Sequence, residues 1–278
     1  LTSRTIGAVL VNGVATDPRT ASVSIFDIGF QRGYGCFEAM RSYNGSVFRL
    51  DGHLDRLARS ADHLRIALAD RQVLRAWCDS TASGGDGVLR IYVTGGIDAS
   101  APGTDNATIV YLEPLPDLPD RIRLDLLDAP WHSDGRVSQL TGAKTLSYGP
   151  NLAATIEAKS KGFDDAVLLG SDDGVLEGPT FSLAWVEDGR LFTPSLDSQI
   201  LESITREVTL DATRRIGVEV SVGRFHRDRL LGADEVFIMS TVREVMPVSA
   251  IRDVAYPTGP TTLAIKAAFD EVVRSETT

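Results

Sequence analysis

The chain of 278 residues is long enough for one large domain or two of ordinary size, and 43% hydrophobic with 24% charged residues is a globular composition. A formal net charge of -10 argues against general nucleic-acid binding, which needs a positive footprint, while leaving room for a local basic pocket. The two cysteines, Cys36 and Cys78, cannot build a disulfide scaffold, and no apolar run of membrane-spanning length or signal-peptide core stands out, so a cytoplasmic chain with no membrane partner is expected.

Residues 6–11 and 21–26 are predominantly apolar around the Asn12-Gly13 and Asp17-Pro18 turns and are read as strands. Residues 30–35, rich in glycine and aromatics, read as a tight loop. The apolar run 36–43, the Asn44-Gly45 pair and residues 47–50 read as a hairpin, because Asn-Gly tolerates the positive backbone angles of a two-residue turn. At residues 51–66 the period becomes helical: Leu54, Leu57, Ala58, Ala61, Leu64 and Ala67 share a face, with Asp51 as the N-cap. Arg56 lies off that face, either solvated or turned toward a ligand. A second amphipathic helix follows at 68–78, then strands at 88–93 and 106–112. Arg90 stands among large apolar neighbours in its strand and faces either solvent or an anion.

Prolines 114, 116 and 119 stiffen a connector, so a boundary is placed at 115–120 between a small α+β domain, 1–114, and a larger one, 121–278. The second part reads as strands at 122–127, 166–169, 181–186, 190–192, 219–222 and 236–239, with helices at 152–161, 203–216 and 261–274 and a helical turn at 225–230. The expected class is α+β with two domains.

Chemistry centres on the run Gln139-Leu140-Thr141-Gly142-Ala143-Lys144-Thr145-Leu146-Ser147-Tyr148. A lysine amine is a weak nucleophile at neutral pH unless burial or a nearby cation lowers its pKa, and then it can form a Schiff base with an aldehyde cofactor. The plain alternative for Lys144 is a surface lysine in a turn. Three further pieces carry similar pairs of readings. Glu177, beside Gly178-Pro179, is a turn glutamate or a carboxylate that holds a proton on a pyridine nitrogen. Ser203-Ile204-Thr205 is an ordinary helix start or an anion site of free N–H groups. Ser240-Thr241 ends a strand or supplies hydroxyls to a phosphate. No glycine-rich nucleotide loop or Gly-x-Ser-x-Gly run is present. His53 and His63 read as helix-surface groups, the histidines lack metal spacing, and no metal ligand is assigned.

Taken together, Phe37-Glu38-Ala39-Met40-Arg41, His53-Leu54-Asp55-Arg56-Leu57, Lys144-Thr145-Leu146-Ser147-Tyr148, Glu177-Gly178, Ser203-Ile204-Thr205-Arg206-Glu207 and Ser240-Thr241-Val242-Arg243-Glu244-Val245 resemble, in order and spacing, the fold-type IV pyridoxal-phosphate enzymes: branched-chain and D-amino acid aminotransferases, (R)-amine transaminases and aminodeoxychorismate lyases. The resemblance implies a small α+β N-terminal domain, a larger C-terminal domain with a barrel-like sheet, pyridoxal 5'-phosphate between them, and a homodimer whose pocket is completed by the neighbouring subunit. It implies that Lys144 carries the cofactor, Tyr148 donates to its phenolic oxygen and Glu177 meets its ring nitrogen. Arg56, Ile204, Thr205, Ser240 and Thr241 hold the phosphate. Amino acids and 2-oxo acids are the substrates, exchanged by a ping-pong reaction.

Substrate choice turns on cations for the α-carboxylate, preferably a planar arginine fork. Arg32 and Arg90 are the two expected. The Arg-x-His pair of the familiar D-amino acid enzymes is missing from residues 97–103, and Phe30 stands where their loop tyrosine aligns. The pattern resembles a less common group of D-amino acid transaminases that uses two arginines, Arg32 coming from the neighbouring subunit. A D-amino acid is therefore the expected donor. The alternatives are a branched-chain L-amino acid aminotransferase, an aminodeoxychorismate lyase and an (R)-amine transaminase.

Overall fold

The computed structural model describes residues 5–132 and 137–277. The chain forms two compact units: one comprises Leu1–Pro116, Gln139–Tyr148 and Glu276–Thr278, the other Asp117–Ser138 and Gly149–Ser275. The chain changes unit inside the proline-containing connector. The lysine segment nevertheless folds with the first unit, although it follows that connector in sequence.

The first unit is a six-stranded antiparallel sheet in the order β2-β1-β6-β5-β3-β4. Its strands are β1 (Ile6–Val11), β2 (Val14–Thr16), β3 (Gly35–Tyr43), β4 (Ser46–Val47), β5 (Gly87–Thr94) and β6 (Thr108–Glu113). Helices α2 (Leu50–Leu64) and α3 (Arg71–Ala82) pack on one face. Alternation in β3 sends Cys36, Glu38 and Met40 to that covered face and Phe37, Ala39 and Arg41 to the other. The buried stripe of α2 includes His53, Arg56, Leu57, Ser60, Ala61 and Leu64, while Ala58 is exposed. The apolar pattern thus located the helix and its inner face at Leu54, Leu57, Ala61 and Leu64, but that face is wider than expected, because Arg56 and His53 are buried with a carboxylate partner. Asp51 is not the cap: Arg49, at φ 53°, occupies that position and makes no side-chain cap bond. Asp70 does cap α3, accepting from the Gln72 N–H at 2.8 Å.

Two local expectations fail. Residues 21–26 form no strand, and residues 28–32 form a short helix, α1 (Ile28–Arg32), capped by Asp27, where a loop was expected. Asp27 Oδ1 accepts from the Gly29 N–H at 2.7 Å.

The second unit has an eight-stranded mixed sheet, ordered β11-β10-β9-β12-β13-β7-β8, with β14 paired to β13. The strands are β7 (Ile122–Asp128), β8 (Asp165–Leu169), β9 (Ser182–Glu187), β10 (Arg190–Pro194), β11 (Val220–Gly223), β12 (Glu235–Ser240), β13 (Glu244–Ile251) and β14 (Val254–Ala255). Helices α4 (Gly149–Ser160), α5 (Ile204–Arg215), α6 (Arg227–Leu231) and α7 (Pro260–Glu276) accompany it. Leu183, Trp185, Val236, Ile238, Met246 and Val248 belong to one buried cluster. Strand β13 has no simple sequence signal, because Pro247 interrupts it. Pro247 lies opposite Phe237 in the pairing with β12, and the pairing with β7 begins only at Val248, with a register shift before Ala250. Among the described residues, no helix is long and apolar enough to cross a membrane.

Candidate active site

In the first unit, Lys144 is anchored by its main chain before its amine is considered. The Phe37 N–H donates to the Lys144 carbonyl at 3.1 Å, Thr145 bridges to Cys36, and the Leu146 N–H donates to the Gly35 carbonyl at 2.8 Å. The segment therefore runs antiparallel to the start of β3, on the edge not taken by β5. From α2, Ser60 Oγ accepts from the Lys144 N–H at 3.0 Å. Gly35 permits the approach: a Cβ there would lie 2.5 Å from the Val93 carbonyl oxygen and 2.6 Å from Leu146 Cδ1.

The Lys144 amine lies 3.3 Å from the Tyr148 hydroxyl, 4.3 Å from the Phe37 ring centre and 5.3 Å from the Tyr148 ring centre. Phe37 meets Tyr148 edge-on at 5.2 Å and stacks on Tyr92 at 5.5 Å, and Tyr92 stacks on Tyr111 at 6.0 Å. Cross-strand register puts Ala39, Arg90 and Tyr111 in one row of this face. Arg90 donates from Nε to Glu113 Oε2 at 2.8 Å, an ion pair that strand spacing did not reveal.

Below the opposite face lies a buried charge cluster. Arg56 grips Glu38 with two hydrogen bonds, Nε to Oε1 and Nη2 to Oε2, both 2.7 Å, and His53 Nδ1 lies 2.8 Å from Oε2. His53 is thus a core group, and its reading as a helix-surface residue is corrected. Burial pushes the Glu38 pKa up, but the charge and hydrogen bonds of Arg56, with those of His53, outweigh it and bring it down to about 2. Burial pushes His53 down despite Glu38, with Arg56 and Lys144 acting in the same direction. Glu38 was visible in sequence only as part of a motif. The available signal was its inward position on β3 opposite a histidine and an arginine three residues apart on α2.

In the second unit, Glu177 is half-buried. Its Oε1 accepts from the Leu201 N–H at 3.0 Å, and its carbonyl accepts from the Leu168 N–H at 2.9 Å. Gly178 is required beside it, since a Cβ there would enter the Phe181 ring at 2.1 Å. Ser203 caps α5, its hydroxyl accepting from the Arg206 N–H at 3.2 Å. The Ile204 and Thr205 N–H groups fall in the first turn, outside the helical ladder. Arg206 was not assigned a role from sequence. It donates to Thr193 Oγ1 at 3.2 Å and to the Pro194 carbonyl at 2.7 Å, tying the start of α5 to the end of β10. Burial pushes its pKa down, opposed by the Glu177 charge. Ser240 accepts from the Arg243 N–H at 3.1 Å in the turn that holds Thr241.

The expected site residues fall in both units, and the structure brings Lys144 and Tyr148 together in the first. Phe30 and Arg32 sit on α1 and are exposed, and Arg32 makes no side-chain hydrogen bond or ion pair among the described residues.

Residues 35–251 match the family model described as amino-transferase class IV. The chain belongs to this family, the fold-type IV pyridoxal-phosphate-dependent aminotransferases expected from its motifs. It is similar to a putative branched-chain-amino-acid aminotransferase of Methanocaldococcus jannaschii, 32% identical over 87% of each chain. A D-alanine aminotransferase of Bacillus licheniformis is 30% identical over 97% of this chain and 98% of its own. Among solved structures, the branched-chain aminotransferase of the thermophilic archaeon Thermoproteus uzoniensis with norvaline superposes with a TM-score of 0.86 at 26% identity, covering 97% of this chain and 95% of that one.

Replacing Glu38 by Gln leaves Arg56 buried with a weakened partner and is expected to cost about 3–5 kcal/mol in urea unfolding. The same carboxylate gives an acid dependence. Its folded pKa, about 2, lies below its ordinary 4.5, so its contribution is complete above 4.5 and is lost as pH falls toward 2. His53, also pushed below its ordinary 6.5, adds a loss that begins as the unfolded chain takes up a proton below that pH. Thermal melts should show Tm falling as pH drops below 6.5, with the portion below 4.5 flattened in Glu38→Gln.

Proposed function

We propose that this protein transfers the amino group of a branched-chain L-amino acid to a 2-oxo acid. Pyridoxal-phosphate-dependent transamination in two half-reactions is the chemistry typical of the family, and the donor is the finer point. The carrying observation is the face beside the Lys144 amine. Phe37, Tyr92 and Tyr111 form an apolar aromatic wall, and Arg90 in the same sheet face offers one cation, which suits an apolar side chain and one α-carboxylate. The D-amino-acid expectation rested on Arg32 and Arg90 acting as a pair. That pair takes Arg32 from the neighbouring subunit, whereas the branched-chain reading asks only for the one cation this sheet face supplies, and the 32% identical relative is named for branched-chain substrates.

The residues fit pyridoxal phosphate in kind: an amine beside a phenol, a half-buried carboxylate held by a main-chain N–H, and first-turn N–H groups next to hydroxyls. When bound, the cofactor supplies an aldehyde for amine exchange and a ring that accepts electrons. Lys144 would be the nucleophile that holds the cofactor, and its Nζ would carry the proton taken from the substrate α carbon onward to the cofactor carbon, one group serving as base and then acid. Tyr148, 3.3 Å from Nζ, orients that amine and would donate to the phenolic oxygen. Glu177 would hold a proton on the ring nitrogen. The N–H groups of Ile204 and Thr205, the hydroxyls of Ser240 and Thr241, and Arg56 would hold the phosphate. Arg90 would receive the substrate carboxylate. The same reading includes a homodimer, with a second copy seated on residues 25–30, where Ile25, Phe26 and Phe30 are 66%, 66% and 72% exposed.

Borohydride reduction of cofactor-loaded protein followed by peptide mass mapping is expected to leave the label on Lys144, and a label elsewhere would remove the basis of this reading. In a half-reaction screen of both enantiomers, L-leucine or L-isoleucine should aminate the cofactor faster than D-alanine or D-glutamate. The reverse order would restore the D-amino acid donor, and pyruvate release from aminodeoxychorismate without amino transfer would indicate the lyase. Light scattering should give twice the chain mass, and Phe26→Asp should shift it toward the single-chain value. A wild-type monomer would contradict the dimer.

A further inference from the structure

Glu113 belongs to neither the motifs nor the roles assigned so far. It ends β6 on the same sheet face as Arg90, Tyr92, Tyr111 and Phe37, one diagonal step from Arg90 in the cross-strand register. Among the described residues its carboxylate takes only the Nε–H of Arg90, at 2.8 Å, and both side chains are about three-quarters covered, at 25% and 27% exposed. The terminal nitrogens Nη1 and Nη2 make no hydrogen bond among the described residues. A guanidinium is planar, so holding it at Nε fixes the direction in which the end-on pair of Nη donors points. That edge is the one able to receive a carboxylate through two parallel hydrogen bonds.

We propose that Glu113 is a positioning residue for substrate recognition, aiming the terminal edge of Arg90 at the substrate carboxylate while its own negative charge limits how tightly that carboxylate is held. The inference rests on Arg90 being the carboxylate anchor. The two effects have opposite signs and different chemical requirements. Aiming needs only an acceptor oxygen, which an amide retains. Charge limitation needs the carboxylate, whose repulsion acts through a partly solvated face and is therefore modest. The pair thus leaves an oriented but partly neutralised arginine beside an apolar wall, an arrangement suited to releasing a monocarboxylate product as well as binding it.

The test is competitive inhibition of the pyridoxal-phosphate-loaded enzyme by a branched aliphatic monocarboxylate, with the matching primary amide as an uncharged probe. Glu113→Gln should lower the carboxylate Ki by roughly threefold or more and leave the amide Ki unchanged. Glu113→Ala loses the acceptor as well, so its carboxylate Ki should exceed that of Glu113→Gln by about tenfold. KM for the 2-oxo acid should follow the same order, with kcat nearly constant. Equal Ki values in the Gln and Ala variants, or no tightening in Gln, would overturn the role of Glu113. Arg90→Ala separates the premise: a raised carboxylate Ki with an unchanged amide Ki supports the anchor, whereas an unchanged carboxylate Ki removes Arg90 as the anchor, and the proposal with it.

Discussion

The first unit depends on a short antiparallel pairing between the start of β3 and a segment more than a hundred residues further along the chain. Main-chain bonds from Phe37 to Lys144 and from Leu146 to Gly35 place the lysine, and Ser60 from α2 satisfies its N–H. This pairing occupies a strand edge that would otherwise present unpaired donors and acceptors. It also determines that the amine emerges beside Phe37 and Tyr148 rather than in solvent. The lysine's surroundings are therefore set by backbone pairing, and its side chain needs no unusual geometry of its own.

The two faces of the same sheet solve different electrostatic problems. On the covered face, a carboxylate, a guanidinium and a neutral imidazole are removed from water together, and their mutual bonds compensate for desolvation. On the other face, Arg90 and Glu113 remain partly hydrated and singly bonded. The first arrangement is rigid because breaking it strands a buried charge. The second can exchange partners, because water and an incoming carboxylate can both reach it. Alternation along β3 and β5 assigns Glu38 to the first role and Arg90 to the second.

In the second unit, Glu177 is positioned by main chain on both sides, through Leu201 and Leu168, and by the absence of a side chain at Gly178. Arg206 fastens the start of α5 to the end of β10, so the helix's first turn is held by tertiary bonds in addition to its Ser203 cap. Ile204, Thr205, Ser240 and Thr241 thus lie at the start of α5 and the end of β12, where main-chain polar groups are left over from regular pairing, and Glu177 lies in the loop between β8 and β9.

The sequence by itself determined the class, because six short motifs in fixed order carry it, and it determined most elements, because their apolar periods are local. It named Lys144, Tyr148 and Glu177 for the same reason: each sits in a recognisable run. Only the tertiary structure decided that residues 139–148 belong with the first unit, that His53 and Arg56 are buried, that residues 21–26 stay unpaired, and that Pro247 can sit in a strand. The physical reason is common to all four. Burial of a charge, pairing of a strand edge and tolerance of a proline depend on a partner distant in the chain, and periodicity within a segment does not encode who that partner is.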